Sequence, residues 1–271
     1  MFANAQAYER LMGRWSVLLA PQLVDFADLH GAGRFLDVGS GAGALTFTIA
    51  ERNPRALVQG IDPSKEYVEY AGGRNAFPDR VNFGVGDGQN LPFPDAEFDA
   101  SVSLLAFNFI PDAKKALGEV CRVTKSGGRI SAAVWDYGHG MQMLRLFWDS
   151  VASVDPAAAS SHEMYMPLCR EGALEALWQS CGLEDVTGRP LDIEMKFESF
   201  ADYWDPFLLG QGPAGAYVQR IDDARREVLR EEVKRRLGLH EENLPFSLQA
   251  RAWAVRGFVP TRHRNRARTS G

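Results

Sequence analysis

Cysteine is scarce. The three present, Cys121, Cys169 and Cys181, are odd in number and far apart, which excludes a paired disulfide framework and any CxxC or Cys/His spacing able to close around zinc. Reduced thiols in a cytoplasmic protein, with no metal site, are the expectation. Charge of one sign is lacking too. Thirty basic side chains against 35 acidic ones leave a formal net charge of −5, so the whole chain has no bias toward nucleic-acid backbones or anionic membranes. No segment approaches the ~20 apolar residues that span a bilayer, and "MFANAQAYERLMGRW" lacks the basic-then-apolar order of a leader. The expectation is a soluble, unprocessed chain of 271 residues, enough for one large domain with an insertion.

What is present is a rhythm. Residues 4–29 place Leu11, Trp15, Leu18, Leu19, Leu23 and Phe26 at helical spacing around Pro21, which predicts one broken helix or two short ones. "RFLDVG" is a compact apolar strand running into glycines, and "ALTFTIAERN" a helix stopped before Pro54. "ALVQGID" is a second strand, "SKEYVEYAGGRNAF" a helix capped by Ser64, and "VNFGVGD" a third strand. "FDASVSLLA" and "GGRISAAVWD" flank the helix "DAKKALGEVCRVT", whose Ala116, Leu117, Val120 and Val123 share one face. Five alternations with short connectors predict an α/β fold with a doubly wound, mostly parallel sheet covered on both faces.

Beyond Asp136 the alternation loosens. "MQMLRLFWDSVASV" and "EGALEALWQSCG" read as helices, and "LEDVTGRPLDIEMKF" and "FSLQARAWAVRGF" as a sixth and a seventh strand. Between those strands lie "ESFADYWDPFLL" and the amphipathic "AYVQRIDDARREVLREEVKRRLG". The expected division is a helical cap over 1–32 and a main domain over 33–260, with a helical insertion at 198–245 placed to act as a lid. The basic tail 261–271, with Arg262, Arg264, Arg266 and Arg268, reads as disordered rather than RNA-binding.

The chemistry is carried by "FLDVGSGAG". A glycine-rich turn between strand and helix lets backbone approach a ligand and aims amides and a helix N-terminus at it. Gly39, Gly41 and Gly43 run G-x-G-x-G rather than the dinucleotide G-x-G-x-x-G, and Asp37 precedes them. A carboxylate there repels a pyrophosphate but accepts from an ammonium group, directly or through water. Asp62, closing the second strand in "GIDPS" with Pro63 and Ser64, is placed to accept both hydroxyls of a ribose; a charged hydrogen bond is worth about 1.5–3 kcal/mol. Asp87, beside Gly88 and Gln89, ends the third strand where a carboxylate can accept from an adenine amino group. Acids at three successive strand ends converge where open α/β sheets bind ligands.

With these residues the chain resembles class I S-adenosylmethionine-dependent methyltransferases, of the small-molecule type similar to ubiquinone and menaquinone biosynthesis methyltransferases. The likeness covers residues 33–135 and rests on "LDVGSGAG", Asp62, Asp87, "LPFPDAEFDASVS" and "VTKSGGR". It implies a seven-stranded Rossmann-like sheet with its last strand antiparallel, and S-adenosylmethionine as cofactor. The cofactor set it implies is Asp37, Gly39, Ser40, Gly41, Gly43, Asp62, Pro63, Ser64, Asp87, Gly88, Gln89 and Leu104, with residues 104–107 lining the cofactor and those around 39–43 meeting its methionine part. "YERLMGRWS" resembles segments that cap the cofactor in relatives, which brings in Tyr8, Arg14 and Trp15.

Methyl transfer from a sulfonium is an in-line displacement for which alignment and desolvation supply on the order of 7–11 kcal/mol. A base is needed only for an acceptor that is not already nucleophilic. The candidates after strand five are Asp136, Tyr137 and His139, with His139 first because imidazole titrates near neutrality; the alternative for His139 is a loop histidine bonded to backbone or solvent. His162 is a poorer candidate. Trp15, Phe107, Phe109, Trp135, Phe147, Trp148, Trp204 and Phe207 either wall a hydrophobic or aromatic acceptor or form core. Of these, Tyr8 joined to Trp15, Phe107, Trp135 and Trp204 is the expected acceptor set. The expected activity is methylation of a small molecule. The competing readings are an RNA or protein acceptor, and a cofactor-binding regulator without turnover; a nicotinamide-dependent oxidoreductase fails on the glycine spacing and on Asp37.

Overall fold

The computed structural model describes residues 5–158 and 166–261. Seven strands, β1 (Arg34–Val38), β2 (Leu57–Asp62), β3 (Val81–Val85), β4 (Phe98–Leu104), β5 (Thr124–Trp135), β6 (Glu184–Phe197) and β7 (Phe246–Phe258), form one sheet in the order β3-β2-β1-β4-β5-β7-β6. β1 to β5 pair in parallel, while β7 runs antiparallel to both β5 and β6. The reversed strand is therefore the last in the chain but not the last in the sheet. Pro190 is accommodated because β6 is an edge strand, where a missing N–H leaves no ladder bond unmade.

The helices that cover this sheet form where their ends are satisfied. In α3 (Ala44–Arg52), α4 (Lys65–Gly73) and α5 (Ala113–Val123), the chain returns from one strand to the next. Ser64 Oγ accepts from Tyr67 N at the start of α4, and Asp112 Oδ1 from Lys115 N at the start of α5. Ala116, Leu117, Val120 and Val123 are all buried, which is the face their spacing predicts.

The N-terminal segment departs from expectation. It comprises α1 (Ala5–Tyr8), a π-helical turn (Glu9–Gly13) and α2 (Arg14–Phe26), and Pro21 lies inside α2 without breaking it. The carbonyl one turn back belongs to the exposed Val17, where water can take the place of the bond that proline forfeits. The irregularity falls at 9–13, directly before α2. On the other side, α2 lies along β6, where Gln22 Nε2 donates to Asp192 O at 2.9 Å.

The C-terminal half builds a second apolar layer from α6 (Gln142–Val154), α7 (Ala173–Ser180), α8 (Phe200–Trp204), α9 (Gly212–Arg220) and α10 (Asp223–Leu237). Register from Glu184↔Phe258 to Phe197↔Phe246 makes residues 198–245 the connection of one long β6–β7 hairpin. The amphipathic stretch holds the end of α9 and all of α10: Asp222 Oδ1 accepts from Arg225 N and starts α10 anew. Its charges form spaced pairs such as Arg236 with Glu232, and Leu229 and Val233 alone are buried.

Candidate active site

Strand order reverses between β1 and β4, and the carboxyl ends of β1, β2 and β4 open there into a cavity of about 550 Å³. The turn from β1 into α3 forms one wall. Gly39 and Gly41 hold left-handed backbone (φ +74° and +51°), and a Cβ on Gly39 would overlap Ala106 Cβ. Gly39 and Ser40 donate their N–H groups to Ile61 O at 2.8 and 3.0 Å, and Gly41 donates to Asp62 Oδ2 at 2.9 Å. These three amides bind the turn to the end of β2 rather than aiming at a ligand, which leaves bare backbone as the approach surface. Gly43 stands behind the cavity at the start of α3, against Phe47.

Asp62 joins this turn to the next. Its Oδ1 accepts from Ser64 N at 2.9 Å while Oδ2 takes Gly41, and each oxygen keeps capacity for a further donor. Burial raises its carboxyl above the ordinary range, and the Ser64 and Gly41 N–H groups pull it back in part. Pro63 and Ser64 line the cavity beside it.

Asp37, the last residue but one of β1, is 1% exposed. Its Oδ2 accepts from Thr46 Oγ1 at 2.6 Å, whereas the buried Oδ1 has no partner. Burial pushes its pKa up to about 7; the Thr46 hydroxyl lowers it and the charge of Asp62 raises it further. Asp37 and Ser40 face a smaller recess of about 30 Å³, which shares Tyr8, Gly39, Gly41 and Leu104 with the main cavity.

The far wall comes from the turn after β3. Asp87 is exposed, and Gln89 folds over it, donating from its backbone N at 2.9 Å and from Nε2 at 3.1 Å. Gln89 Oε1 in turn accepts from Asp112 N at 3.1 Å, tying this turn to the start of α5. Gly88 lies in the wall against Val38 and Ile110. Opposite, Leu104, Leu105 and Ala106 leave β4, and Leu105 adopts φ +61°, a left-handed backbone that a branched side chain rarely tolerates. Leu105 N donates to Ala133 O at 2.7 Å, which helps hold it there, so the strain sits in the cavity wall.

Among the described residues expected to wall an acceptor, Tyr8 lines the cavity and four others do not. Phe107 is buried against Trp178 with ring centroids 5.2 Å apart, and Trp15 packs on Phe197 at 5.2 Å under the guanidinium of Arg14. Trp135, opposite Ala252, is core at the end of β5, and Trp204 stacks on Phe200 within the insertion. Phe147, Trp148 and Phe207 join that same aromatic core. The turn after β5 is zipped to itself and to β7: Asp136 Oδ1 accepts from His139 N at 3.0 Å, and Arg251 N donates to Gly140 O at 3.1 Å. That zipping holds His139 exposed and Tyr137 buried, both outside the cavity wall. His162 and Arg262, Arg264, Arg266 and Arg268 lie outside the described residues. Tyr67, Ile110 and Pro111 line the cavity without having been read from the sequence. Their signal was positional: Tyr67 lies in the first turn after the Ser64 cap, and Ile110 and Pro111 directly precede the Asp112 cap.

The strand order with its reversed β7, the glycine turn and the acids at the strand ends define a class I methyltransferase domain. A family model described as a methyltransferase domain matches residues 29–187, and the chain belongs to that family, the S-adenosylmethionine-dependent methyltransferases. It is 29% identical over 226 residues to an uncharacterized protein of Mycobacterium tuberculosis, covering 81% of this chain and 78% of the relative. It is 36% identical over 108 residues to a ubiquinone/menaquinone biosynthesis C-methyltransferase of Geobacter, covering 38% of this chain and 45% of that enzyme. Among solved structures, phosphoethanolamine N-methyltransferase 2 of Haemonchus contortus, in complex with S-adenosyl-L-methionine, superposes with a TM-score of 0.59 at 17% identity, covering 95% of this chain and 57% of that one.

Proposed function

We propose that this chain transfers a methyl group from S-adenosylmethionine to a small, hydrophobic or aromatic acceptor. The observation that carries the reading is the convergence of Asp62, Asp87 and the Gly39–Gly41 backbone on one cavity of about 550 Å³, within the usual range for a small-molecule site. The residues suit the cofactor. Asp62 has free acceptor capacity for a ribose diol, Asp87 and Gln89 offer acceptor and amide to an adenine edge, and the orphaned Asp37 Oδ1 suits an ammonium group or a bridging water. Gly39, Gly41, Ser40, Pro63, Ser64, Gly88 and Leu104 shape the surface between these acids, with Gly43 behind them at the start of α3. The cofactor supplies an already activated methyl group on a sulfonium.

The chain contributes placement and dryness. Leu105, Ala106, Phe109, Ile110 and Pro111 give the cavity an apolar side that excludes water and favours an apolar acceptor. The positions of His139 and Tyr137 outside the wall favour alignment and desolvation over general-base catalysis. Tyr8 and the segment around it act as a cap. The insertion 198–245, which contributes no residue to the cavity wall, braces that cap through Arg14 Nη1 and Asp202 Oδ1 at 2.7 Å. Among the described residues no helix is long and apolar enough to cross a membrane.

The test is methyl incorporation from labelled cofactor into a metabolite extract, followed by identification of the product. Label in a low-molecular-weight, apolar product is expected. Label confined to RNA or protein overturns the acceptor assignment, and absence of binding to S-adenosylhomocysteine in calorimetry overturns the reading altogether.

A further inference from the structure

The N-terminal segment reaches the cavity through an irregular turn. The Arg14 N–H bonds to Glu9 O, five residues back, where a regular α-helix would use Arg10 O. Residues 9–13 therefore hold one residue more than an α-helical turn accommodates, although α1 before them and α2 after them are both α-helical. Single widened turns of this kind are rare and occur mostly at functional sites. This one begins directly after Tyr8, which lines the cavity wall.

The two sides of the turn are held very differently. On the α2 side, Leu11, Met12, Trp15, Leu19 and Leu23 belong to the main core. Arg14 Nη1 pairs with Asp202 Oδ1 at 2.7 Å, and the same guanidinium lies over the rings of Trp15 and Phe197 at 4.1 and 5.0 Å. On the α1 side, Ala5 packs with Ala42 and Tyr67 in a small apolar cluster separate from that core. The remaining ties are few: Ala5 N to Glu66 Oε1 at 2.9 Å, Glu9 Oε2 to Arg74 Nη1 at 3.4 Å, Tyr8 edge-on to Tyr67 at 5.7 Å, and the Ser16 hydroxyl bonded to that of Tyr8. A part-exposed ion pair and a satellite cluster stabilise little, so this side opens at low cost while α2 stays in place.

We propose that the π-helical turn is the hinge of a lid, converting to an α-helical turn when the cavity opens, with the Arg14 N–H passing from Glu9 O to Arg10 O. An α-helix advances about 100° and about 1.5 Å per residue. Absorbing the extra residue into α2 therefore swings everything before the turn through about 100° around the helix axis. That motion takes Ala5 off Glu66 and Tyr8 out of the cavity wall, and ligand passes where Tyr8 stood. Gly13 favours the closed register, because a Cβ there would overlap the Glu9 carboxylate and nothing else. The inference takes its ligand from the methyltransferase reading. It goes beyond that reading by assigning entry and exit to a shift of helical register in the N-terminal segment rather than to movement of the 198–245 insertion.

The experiment compares the full chain with two variants, deletion of the exposed Arg10 and Gly13→Ala, by stopped-flow kinetics and calorimetry with S-adenosylhomocysteine. Without Arg10 the same Arg14 N–H to Glu9 O bond closes an ordinary α-helical turn, so Tyr8 stays on Tyr67 and no second register exists. The deletion is expected to slow association and dissociation alike, by about tenfold, with Kd within about twofold of wild type. Gly13→Ala crowds the closed register and is expected to speed dissociation about fivefold. Wild-type rates in the deletion variant, or a loss of affinity as large as that of Tyr8→Ala, overturn the hinge. Unchanged or slower dissociation in Gly13→Ala overturns it as well, and that test stands even if the deletion variant fails to fold. Hydrogen exchange on the ligand-free chain gives a readout independent of the ligand: amides of residues 5–14 are expected to exchange about tenfold faster in Gly13→Ala than in wild type, and equal exchange overturns the hinge. Failure of the wild-type chain to bind S-adenosylhomocysteine instead overturns the methyltransferase reading.

Discussion

Two buried regions of this molecule are built on opposite principles. Around the ends of β1 and β2, the buried groups are acids and hydroxyls, and several lack partners: Asp37 Oδ1, Ser40 Oγ and Tyr67 Oη. Around α6 and the insertion, the buried groups are aromatic rings in mutual contact. Phe147 stacks on Phe207 at 4.5 Å, and Trp148 stands edge-on to Phe147 at 5.2 Å. The two buried tyrosine hydroxyls there are bonded, Tyr203 Oη donating to Met143 O at 2.8 Å and Tyr217 Oη to Asp155 Oδ2 at 3.1 Å, while Gln211 Oε1 and Arg226 Nε have no partner. Unmet polar groups destabilise a fold, and the three at the strand ends belong to residues lining the cavity and its recess, where a ligand can meet them. The stacked rings of the aromatic region line neither the cavity nor its recess and contribute stability.

That contrast breaks if mutations in the two regions have the same signature. The largest expected effect is Phe207→Ala, which opens a cavity in the stacked core and is expected to cost about 3–5 kcal/mol in denaturant unfolding. Affinity of the remaining folded protein for S-adenosylhomocysteine should not change; a loss of affinity would place the insertion in the site. Asp62→Ala is expected to do the reverse. It removes the acceptor of two turn amides and of the assigned ribose, and should weaken S-adenosylhomocysteine about 100-fold, equivalent to about 2.7 kcal/mol, while the unfolding midpoint moves little. Unchanged affinity in that titration would show the ribose to be misplaced.

A pH series sharpens the comparison. The Asp37 carboxyl lies at about 7 in the folded chain, above its ordinary value, so the native state holds this proton where the unfolded state has released it. The stability it contributes is complete below the unfolded value and is lost as pH rises through 7. Between pH 5 and 8 the loss is on the order of 2 kcal/mol. Asp37→Asn cannot ionise and should flatten that slope, measured as unfolding free energy against pH. Ligand affinity should run oppositely, tightening as pH rises through 7, because the ionised carboxylate is the form an ammonium group selects. A slope that survives Asp37→Asn would place the titrating proton elsewhere.

The first half of the chain was far more legible than the second, for a physical reason. Strand, glycine turn and helix are adjacent in sequence, so the spacing of Asp37, Gly39 and Gly41, and the positions of Asp62 and Asp87 at strand ends, could be read locally. The aromatic residues could not. Whether Trp135 or Trp204 walls a ligand or fills a core depends on which distant element covers it, and periodicity is the same in both cases. Pro21 misled for a related reason: the cost of proline in a helix depends on whether the carbonyl one turn back meets water, and Val17 lies on the exposed face.

The smallest expected effect belongs to the residue that sequence reasoning favoured for proton transfer. His139 is exposed on a turn whose backbone is held by Asp136 and by β7, on neither of the two walls that define the contrast. A general base must come within hydrogen-bond reach of the proton it removes, and no part of this turn lines the cavity. His139→Ala is therefore expected to leave affinity for S-adenosylhomocysteine, and the rate of methyl transfer to the acceptor identified by labelling, within about twofold of wild type, since exposed side chains away from a site change little. A slower rate with unchanged affinity, recovering as pH is raised, would instead mean that the β5–α6 turn closes onto the cavity when acceptor binds. It would also join the aromatic half of the molecule to the chemistry from which its geometry separates it.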